Sequence, residues 1–531
     1  MMFKRRFLSQ IIVKRNLLNP NHYRTLLLSL FALALVSLQG CTDADKNEIV
    51  ISGPFEAVSL APEKVGYLFT RMQMMETLLN VEPDGSIVAG LAESWSPGHD
   101  GLTWTFKLRN DVKFHDGSLM DADSVVKSLS VAFAKPTPFD NQLVDGIKKQ
   151  DEHTVVITLT HPYPSFPAVM TNYATGILAP ASYDKAGEVV ALIGTGPYRL
   201  SKFMPPHEIR GTRFDDYYAK KAKIRNVIYV TGHRPESRSL MLEGGDADIV
   251  LNLDPASVER LSHNPDLFID STSIPRTVLV KLNLADPKLS DLKVRQALSL
   301  AVDRRGIAES IMHTPGAEAN QIFAPVLQPW HVKERAPVTR HLEKANQLLD
   351  QAGWMKGAQG IRVKKDQSLH FKLITYANRP ELIVIATALQ AQWKEIGAEV
   401  DVVMENASAI PAGHADGSLE MALIARNFTL VPDPMATLLS DFSNIQGGDW
   451  GPMNWSNPAV FSGLKAMSQM TPDSPEYAQQ ASQLSQAITD DIPMISVTYY
   501  IQQTGVSQRV QGFQFDPYER SFHIAVMDFN D

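Results

Sequence analysis

The 531-residue sequence contains a single cysteine, Cys41. Internal disulfide bonds and zinc or iron–sulfur sites built on several cysteines are therefore excluded. The 14 histidines are scattered, with no HExxH pattern and no pair at i,i+4 spacing. The GxSxG, Walker A and dinucleotide-binding patterns are also missing. We therefore expect no enzyme activity, no cofactor and no metal held directly by protein side chains.

Long apolar runs are scarce as well, and no segment reaches the roughly 20 apolar residues that a membrane-spanning helix needs. One shorter apolar run, Leu26–Leu38, is interrupted only by Ser29 and Ser37. It follows a basic stretch within residues 4–24 that holds six Lys or Arg residues. A basic stretch followed by a short apolar run is typical of a secretory signal peptide.

The lone cysteine lies in the sequence Leu38-Gln39-Gly40-Cys41, which resembles a bacterial lipobox. This resemblance implies cleavage before Cys41 and attachment of lipid to it. We therefore expect residues 1–40 to be a signal peptide and residues 41–48 a lipidated, polar tether. The rest of the chain would be a periplasmic lipoprotein held at the membrane. The alternative is an ordinary signal peptide with a cysteine at this position by chance.

Positive charge is limited in the rest of the chain. The whole sequence carries a net charge of −8, and residues 1–40 contribute six positive charges and no acid, so the remainder carries −14. Such an acidic protein is not suited to binding nucleic acid through its general surface. About 490 residues are too many for one hydrophobic core, which predicts at least two domains.

Strand and helix patterns alternate along the chain, which indicates an α/β fold. Residues 102–108 alternate between polar and apolar, and this pattern predicts a strand that buries Trp104 and Phe106. Asp121 is a predicted N-cap for the helix that follows it. Helices are also predicted at about Tyr67–Leu79 and Glu381–Ile396.

Five stretches in order resemble the bacterial solute-binding proteins of family 5, the peptide, nickel and opine class that serves ABC importers. Each stretch is short, but together they span nearly the whole sequence after Cys41. They are Leu91–Trp95 with Gly101–Gly117, Gly194–Tyr198, Glu243–Ile249, Val294–Arg304 and Ala345–Trp354.

The resemblance implies a two-lobe, clamshell-like fold that closes on a solute, with a subdomain inserted in lobe one. The expected domains are residues 49–275 for lobe one, with 84–190 inserted, and 276–502 for lobe two. Residues 503–531 would return to lobe one. The implied partners are a small peptide-like or metal-chelate ligand, an ABC permease with its ATPase, and the membrane through the lipid; the protein itself would be a monomer.

Arg426 is the first candidate ligand contact, because it ends an apolar run where open α/β sheets present ligand groups. Its guanidinium would hold a ligand carboxylate at two points. The alternative is an ion pair with a nearby acid such as Glu405. The neighbouring Asn427 and Phe428 and the more distant Tyr67 join it as candidates.

Aromatic candidates lie in a glycine-rich loop that contains Trp450 and Trp455, where stacking on a ligand and simple packing are both options. The methionines Met72, Met74 and Met75 indicate core packing, with a soft-metal site as the alternative.

The ligand class is narrowed by the family comparison. Peptide-binding members tend to carry an aspartate in the region of residues 428–431, and this chain has no acid before Asp433. Nickel-chelate members have a tryptophan where this chain has Phe428, and a tyrosine and a histidine where it has Ala412 and Gln446. The first-lobe arginines of the nickel-chelate members are missing in the matching stretch, residues 136–140.

The predicted function is capture of a peptide-like or metal-chelate solute for import. The alternative is a sensor or chaperone lipoprotein on the same scaffold.

Overall fold

The computed structural model of this chain describes residues 47–136, 141–357, 359–376, 379–429, 431–472 and 474–530. The predictions on the signal peptide and on Cys41 fall outside these ranges, as does most of the stretch 136–140. Residues Ile49–Asp531 form one compact unit. In the described ranges, no helix combines the length and the apolar character needed to cross a bilayer.

The strands of the described residues build a ten-stranded mixed sheet in the order β17-β16-β18-β12-β19-β11-β1-β10-β9-β8. A separate four-stranded sheet has the order β4-β5-β7-β6. The strands are β1 (Glu48–Gly53), β2 (Leu79–Val81), β3 (Ile87–Ala89), β4 (Ala92–Pro97), β5 (Thr103–Leu108), β6 (Val144–Asp151), β7 (Thr154–Leu159), β8 (Tyr198–Met204), β9 (Glu208–Arg213), β10 (Asn226–Thr231), β11 (Ile249–Val250), β12 (Leu267–Leu282), β13 (Met355–Lys356), β14 (Arg362–Lys364), β15 (Gln367–Ser368), β16 (His370–Tyr376), β17 (Glu399–Glu405), β18 (Met421–Asn427), β19 (Met494–Ser507), β20 (Val510–Gln511) and β21 (Asp528–Phe529).

Helices alternate with the strands along the chain, as an α/β pattern predicts. They are α1 (Pro62–Arg71), α2 (Ala122–Phe133), α3 (Phe166–Val169), α4 (Pro235–Gly244), α5 (Pro255–Leu261), α6 (Leu292–Ala301), α7 (Arg304–Gly306), α8 (Leu342–Gln351), α9 (Pro380–Glu395), α10 (Ala409–Asp416), α11 (Met435–Phe442), α12 (Pro458–Met467) and α13 (Pro475–Asp491).

The four-stranded sheet has its own hydrophobic core. Trp104 and Phe106 of β5 are 6% and 0% exposed and lie in this core, so the predicted alternation is confirmed. Asp121 caps α2 by accepting a hydrogen bond from the Ser124 amide at 2.8 Å, while the Ser124 hydroxyl accepts from the Asp121 amide. This reciprocal cap fixes where α2 begins and how it packs on the sheet.

The long strands β12 and β19 pair antiparallel at the centre of the large sheet, and their register shifts between Ser273 and Thr277. The predicted lobe boundaries, after residues 275 and 502, fall inside these two strands. The boundaries themselves stay predictions. A register shift of this kind bends a strand locally and redirects its side chains.

The first helix is not where the sequence predicted it. It spans Pro62–Arg71 and not Tyr67–Leu79, because Pro62 favours the first helical turn and Gln73 adopts a left-handed backbone (φ +53°) that ends the helical path. Met72, Met74 and Met75 lie on either side of this break, and all three are buried in the main core.

Gly194 and Gly196 pass close to the chain segment after α1. A Cβ added at Gly194 would lie 2.2 Å from the Met74 carbonyl oxygen, and one at Gly196 would lie 2.2 Å from the Gln73 carbonyl oxygen. Both obstacles are backbone atoms, which cannot rotate away. Neither position can therefore accept a side chain unless the backbone shifts.

We expect Gly196→Ala to lower the free energy of unfolding by about 1–3 kcal/mol, because the backbone must shift to admit the methyl group. Gly146→Ala in β6 is the matched control, since a Cβ there meets nothing within 4 Å; its effect should stay within about 0.5 kcal/mol. Urea unfolding measures both variants. Equal effects of the two substitutions would contradict this account.

Candidate functional site

A cavity of about 1040 Å³ opens at the carboxyl ends of two parallel strand pairs of the large sheet. Pro54 and Asn252, just after β1 and β11, line one side. Asn427 at the end of β18 and Arg379, just after β16, line the other side. Ligands of open α/β sheets bind at this edge, so the position of the cavity agrees with its use as a ligand site.

Two arginines meet one buried carboxylate on the cavity wall. Arg71 donates from Nε to the Glu519 carbonyl oxygen at 2.6 Å and from Nη2 to Glu519 Oε1 at 3.4 Å. Arg276 donates from Nη2 to Glu519 Oε2 at 2.8 Å. Burial alone would raise the pKa of Glu519, but the charges of Arg276, Arg71 and Arg379 outweigh burial and hold that pKa below its usual range. The side chain is therefore a carboxylate at neutral pH.

Tyr500 of β19 joins this group to a third arginine. Its ring lies between the guanidinium groups of Arg276 and Arg379, each 5.2 Å from the ring centroid. Arg379 donates from Nη1 to the Tyr500 hydroxyl at 3.0 Å, and that hydroxyl donates to Glu381 Oε1 at 3.0 Å. Arg379 is the most open of the three arginines, with 25% of its side chain exposed against 9–10% for Arg71 and Arg276.

Aromatic rings form the wall next to α1. Tyr67 packs edge-on against Phe55 at 5.6 Å and Tyr173 at 5.7 Å between ring centroids, and Arg71 lies 4.7 Å from the Phe55 centroid. All four residues line the cavity. The site thus offers flat apolar surface beside a cationic group, which suits a small organic anion.

Of the predicted contacts, Tyr67 and Asn427 line the cavity. Arg426 does not. Its Nε and Nη2 donate to the two oxygens of Asp441 at 2.7 and 2.9 Å, and Asp441 is fully enclosed. An ion pair is therefore present, but with Asp441 rather than with Glu405, whose partner is Lys372. The arrangement gives no support to a ligand carboxylate at Arg426.

Lys281 is buried beside this pair and donates from Nζ to the Asp449 carbonyl oxygen at 2.8 Å. Burial lowers the pKa of Lys281 to about 7. Asp441 is thus the carboxylate that faces two buried cationic groups, Arg426 and Lys281. This cluster holds β12, β18 and α11 together and does not face the cavity.

The remaining aromatic candidates also lie away from the cavity wall. Phe428 is fully buried and packs edge-on against Phe323 at 5.1 Å, so the ligand contact predicted for it is replaced by core packing. Trp450 packs edge-on against Tyr376 at 6.1 Å. Trp455 is 2% exposed and donates from Nε1 to Asp491 at 2.5 Å, which makes it an anchor of its loop.

A second groove, of about 770 Å³, lies between the four-stranded sheet region and loops of the second half of the chain. Its lining includes Trp104, Trp330 and Asp433. Asp433 accepts hydrogen bonds from the Met435 amide at 2.9 Å and the Tyr477 hydroxyl at 3.4 Å. These bonds give Asp433 a structural role in its turn.

Sequence reasoning missed Arg276, Arg379 and Glu519. Arg379 carried a usable signal, because it comes three residues after the end of β16 and precedes Pro380 at the start of α9. The strand-end argument that selected Arg426 applies to it equally. Arg276 lies inside a strand, and Glu519 lies far away in the sequence, so neither had such a signal. The described residues hold no group of three His, Cys, Asp or Glu side chains that could bind a metal ion.

The chain matches the family model of bacterial extracellular solute-binding proteins, family 5 (middle), over residues 86–449. It is 29% identical over 448 residues to the nickel-binding periplasmic protein of Escherichia coli, covering 80% of this chain and 84% of that protein. It is 25% identical over 461 residues to the dipeptide-binding protein of the same organism, covering 81% and 84%.

The fold is similar to that of the crystal structure of NikA from Brucella suis in complex with Fe(III)-EDTA. The TM-score is 0.84 at 22% sequence identity, and the match covers 91% of this chain and 100% of that one. The two-lobe α/β fold with an inserted subdomain, expected from the sequence, is thereby confirmed. Because the family model matches residues 86–449, more than half of the chain, the protein belongs to family 5 of the bacterial extracellular solute-binding proteins.

Proposed function

We propose that this protein is the solute-binding component of an ABC importer and captures a small, carboxylate-bearing peptide-like or metal-chelate ligand. The observation that carries the proposal is the cavity of about 1040 Å³ with the partly exposed guanidinium of Arg379 on its wall. A planar guanidinium binds a carboxylate at two points, which gives both affinity and orientation.

The two walls of the cavity come from different parts of the chain, which explains how ligand binding would change the conformation of the protein. Arg379 follows β16, whereas Tyr67 and Arg71 belong to α1 in the other half of the chain. A ligand that contacts both walls is bound more tightly when the walls approach, so binding favours a closed state. The closed state would then be the form that a membrane permease recognises.

The ligand classes follow the relatives, whose names include nickel-binding and dipeptide-binding proteins. The cavity can neutralise a ligand amino group as well as a carboxylate, since Glu236 and Asp254 also line it.

The lipid tether is part of the same proposal. Lipid on Cys41, within Leu38-Gln39-Gly40-Cys41, would hold the binding unit at a membrane facing the periplasm.

Native mass spectrometry of protein purified without denaturation, with metal analysis of the same sample, tests the proposal. It is followed by calorimetric titration with dipeptides, with nickel(II)–L-histidine and with EDTA chelates. We expect micromolar or tighter binding of at least one solute, and a smaller radius of gyration in X-ray scattering when it is bound. A chain that copurifies with no solute and binds none would sink the proposal; a stable membrane partner in pull-downs would then favour the sensor or chaperone alternative.

A further inference from the structure

The net charge of the side chains around Glu519 can be counted. Arg71, Arg276 and Arg379 supply three positive charges, and Glu519 and Glu381 supply two negative charges. The group therefore has one positive charge more than it has negative. All five side chains line the same cavity.

Glu519 occupies a position that a ligand carboxylate would otherwise take. It bridges Arg71 and Arg276 from the wall, with its two carboxylate oxygens 3.4 and 2.8 Å from their nitrogens. Its side chain is only 12% exposed, so solvent does little to screen these contacts. The position between Arg71 and Arg276 is thus already filled by the protein's own carboxylate.

We propose that Glu519 is a built-in counter-anion that sets the charge of the ligand, so that the cavity prefers a solute with one net negative charge to one with two. This inference rests on the proposed function. Glu519 neutralises part of the arginine group and leaves Arg379 to meet the ligand. At this group a second ligand carboxylate would then approach Glu519 and Glu381, because Glu519 already occupies Arg71 and Arg276, and like charges brought together at a site oppose binding.

The charge preference can be measured with two metal complexes of the same chelator that differ in charge. The iron(III) complex of EDTA carries one negative charge, and the nickel(II) complex carries two. Calorimetry in weakly acidic buffer, where iron binds water rather than hydroxide, gives the affinity for each. We expect the native chain to bind the iron complex about tenfold more tightly than the nickel complex.

Glu519→Gln raises the excess to two positive charges, and we expect it to shift the affinity ratio by about tenfold towards the nickel complex. The double variant Arg71→Gln/Glu519→Gln returns the excess to one and should restore the native ratio. Glu405→Gln is the control, because it removes one negative charge from an exposed pair with Lys372 outside the cavity; its ratio should equal that of the native chain.

Arg71→Gln alone provides an independent variant in case Glu519→Gln does not fold. It removes the excess positive charge, so binding of the nickel complex should fall about tenfold more than binding of the iron complex. An unchanged ratio in Glu519→Gln, or a shift that the double variant does not reverse, overturns the inference.

If the native chain binds a dipeptide or nickel–histidine but neither EDTA complex, this inference is overturned and the proposed function stands. If it binds no solute at all, both are overturned.

Discussion

Asp441→Ala is expected to lower the free energy of unfolding by about 3–5 kcal/mol, because it leaves buried cationic groups without their carboxylate. Asp441 is 1% exposed and holds the Arg426 guanidinium at two points, 2.7 and 2.9 Å from its nitrogens. Lys281 is also fully buried beside the pair. Urea unfolding, followed by circular dichroism, measures the loss.

Two further variants separate the charge effect from the loss of packing. Asp441→Leu combined with Arg426→Met replaces the pair by apolar groups of similar size, and it should recover much of the stability that Asp441→Ala loses. Asp123→Ala removes the carboxylate of an exposed pair with Lys149 and should change stability by less than about 1 kcal/mol. A loss in Asp441→Ala no larger than that of Asp123→Ala would contradict the role assigned to this pair.

The local elements could be predicted from the sequence where one short-range signal controls them. The strand Thr103–Leu108 follows a simple alternation, and Asp121 caps α2 through a contact with Ser124 only three residues away. The end of α1 could not be predicted in this way. It depends on the left-handed backbone at Gln73, where the chain turns to pass beside the loop around Gly196.

Ion pairs were predicted less well, because several acids compete for each arginine. The i,i+4 spacing of Asp291 and Arg295 would permit an ion pair, but the two side chains bind other groups. Asp291 instead caps α6 by accepting from the Lys293 amide at 2.9 Å. Arg295 turns towards the end of α13, where it donates to the Asp491 carbonyl oxygen at 2.8 Å. Local spacing permits a pair, but the cap and the tertiary packing decide which pair forms.

The candidate site, too, could be predicted only where a local signal was present. The rule that ligands bind at strand ends led to the edge of the sheet where the cavity lies, since Asn427 and Tyr67 line that cavity. Arg426 remains a prediction without structural support, because α11 places Asp441 against its guanidinium. Glu519 lies 448 residues from Arg71 in the sequence, so only the folded chain reveals that the protein supplies a carboxylate to its own arginine group.

Arg379→Ala is expected to weaken binding of the tightest solute in the panel by about 2–5 kcal/mol, since a ligand carboxylate would lose its two-point partner. Arg379→Lys should lie between this variant and the native chain, because an ammonium keeps the charge but not the planar pair of donors. Isothermal calorimetry gives the affinities. Arg234→Ala, at an exposed position on the same cavity, should cost less than about 1 kcal/mol.

The same titrations decide between the two arginines at the strand ends. Arg426 is paired with an enclosed carboxylate, so Arg426→Ala should reduce stability while the fraction that remains folded binds with native affinity. Unfolding curves of each variant supply the folded fraction and so correct the binding data. If Arg379→Ala binds as the native chain does and folded Arg426→Ala does not, the ligand carboxylate binds at Arg426, and the cavity beside Tyr500 is not where the solute is held.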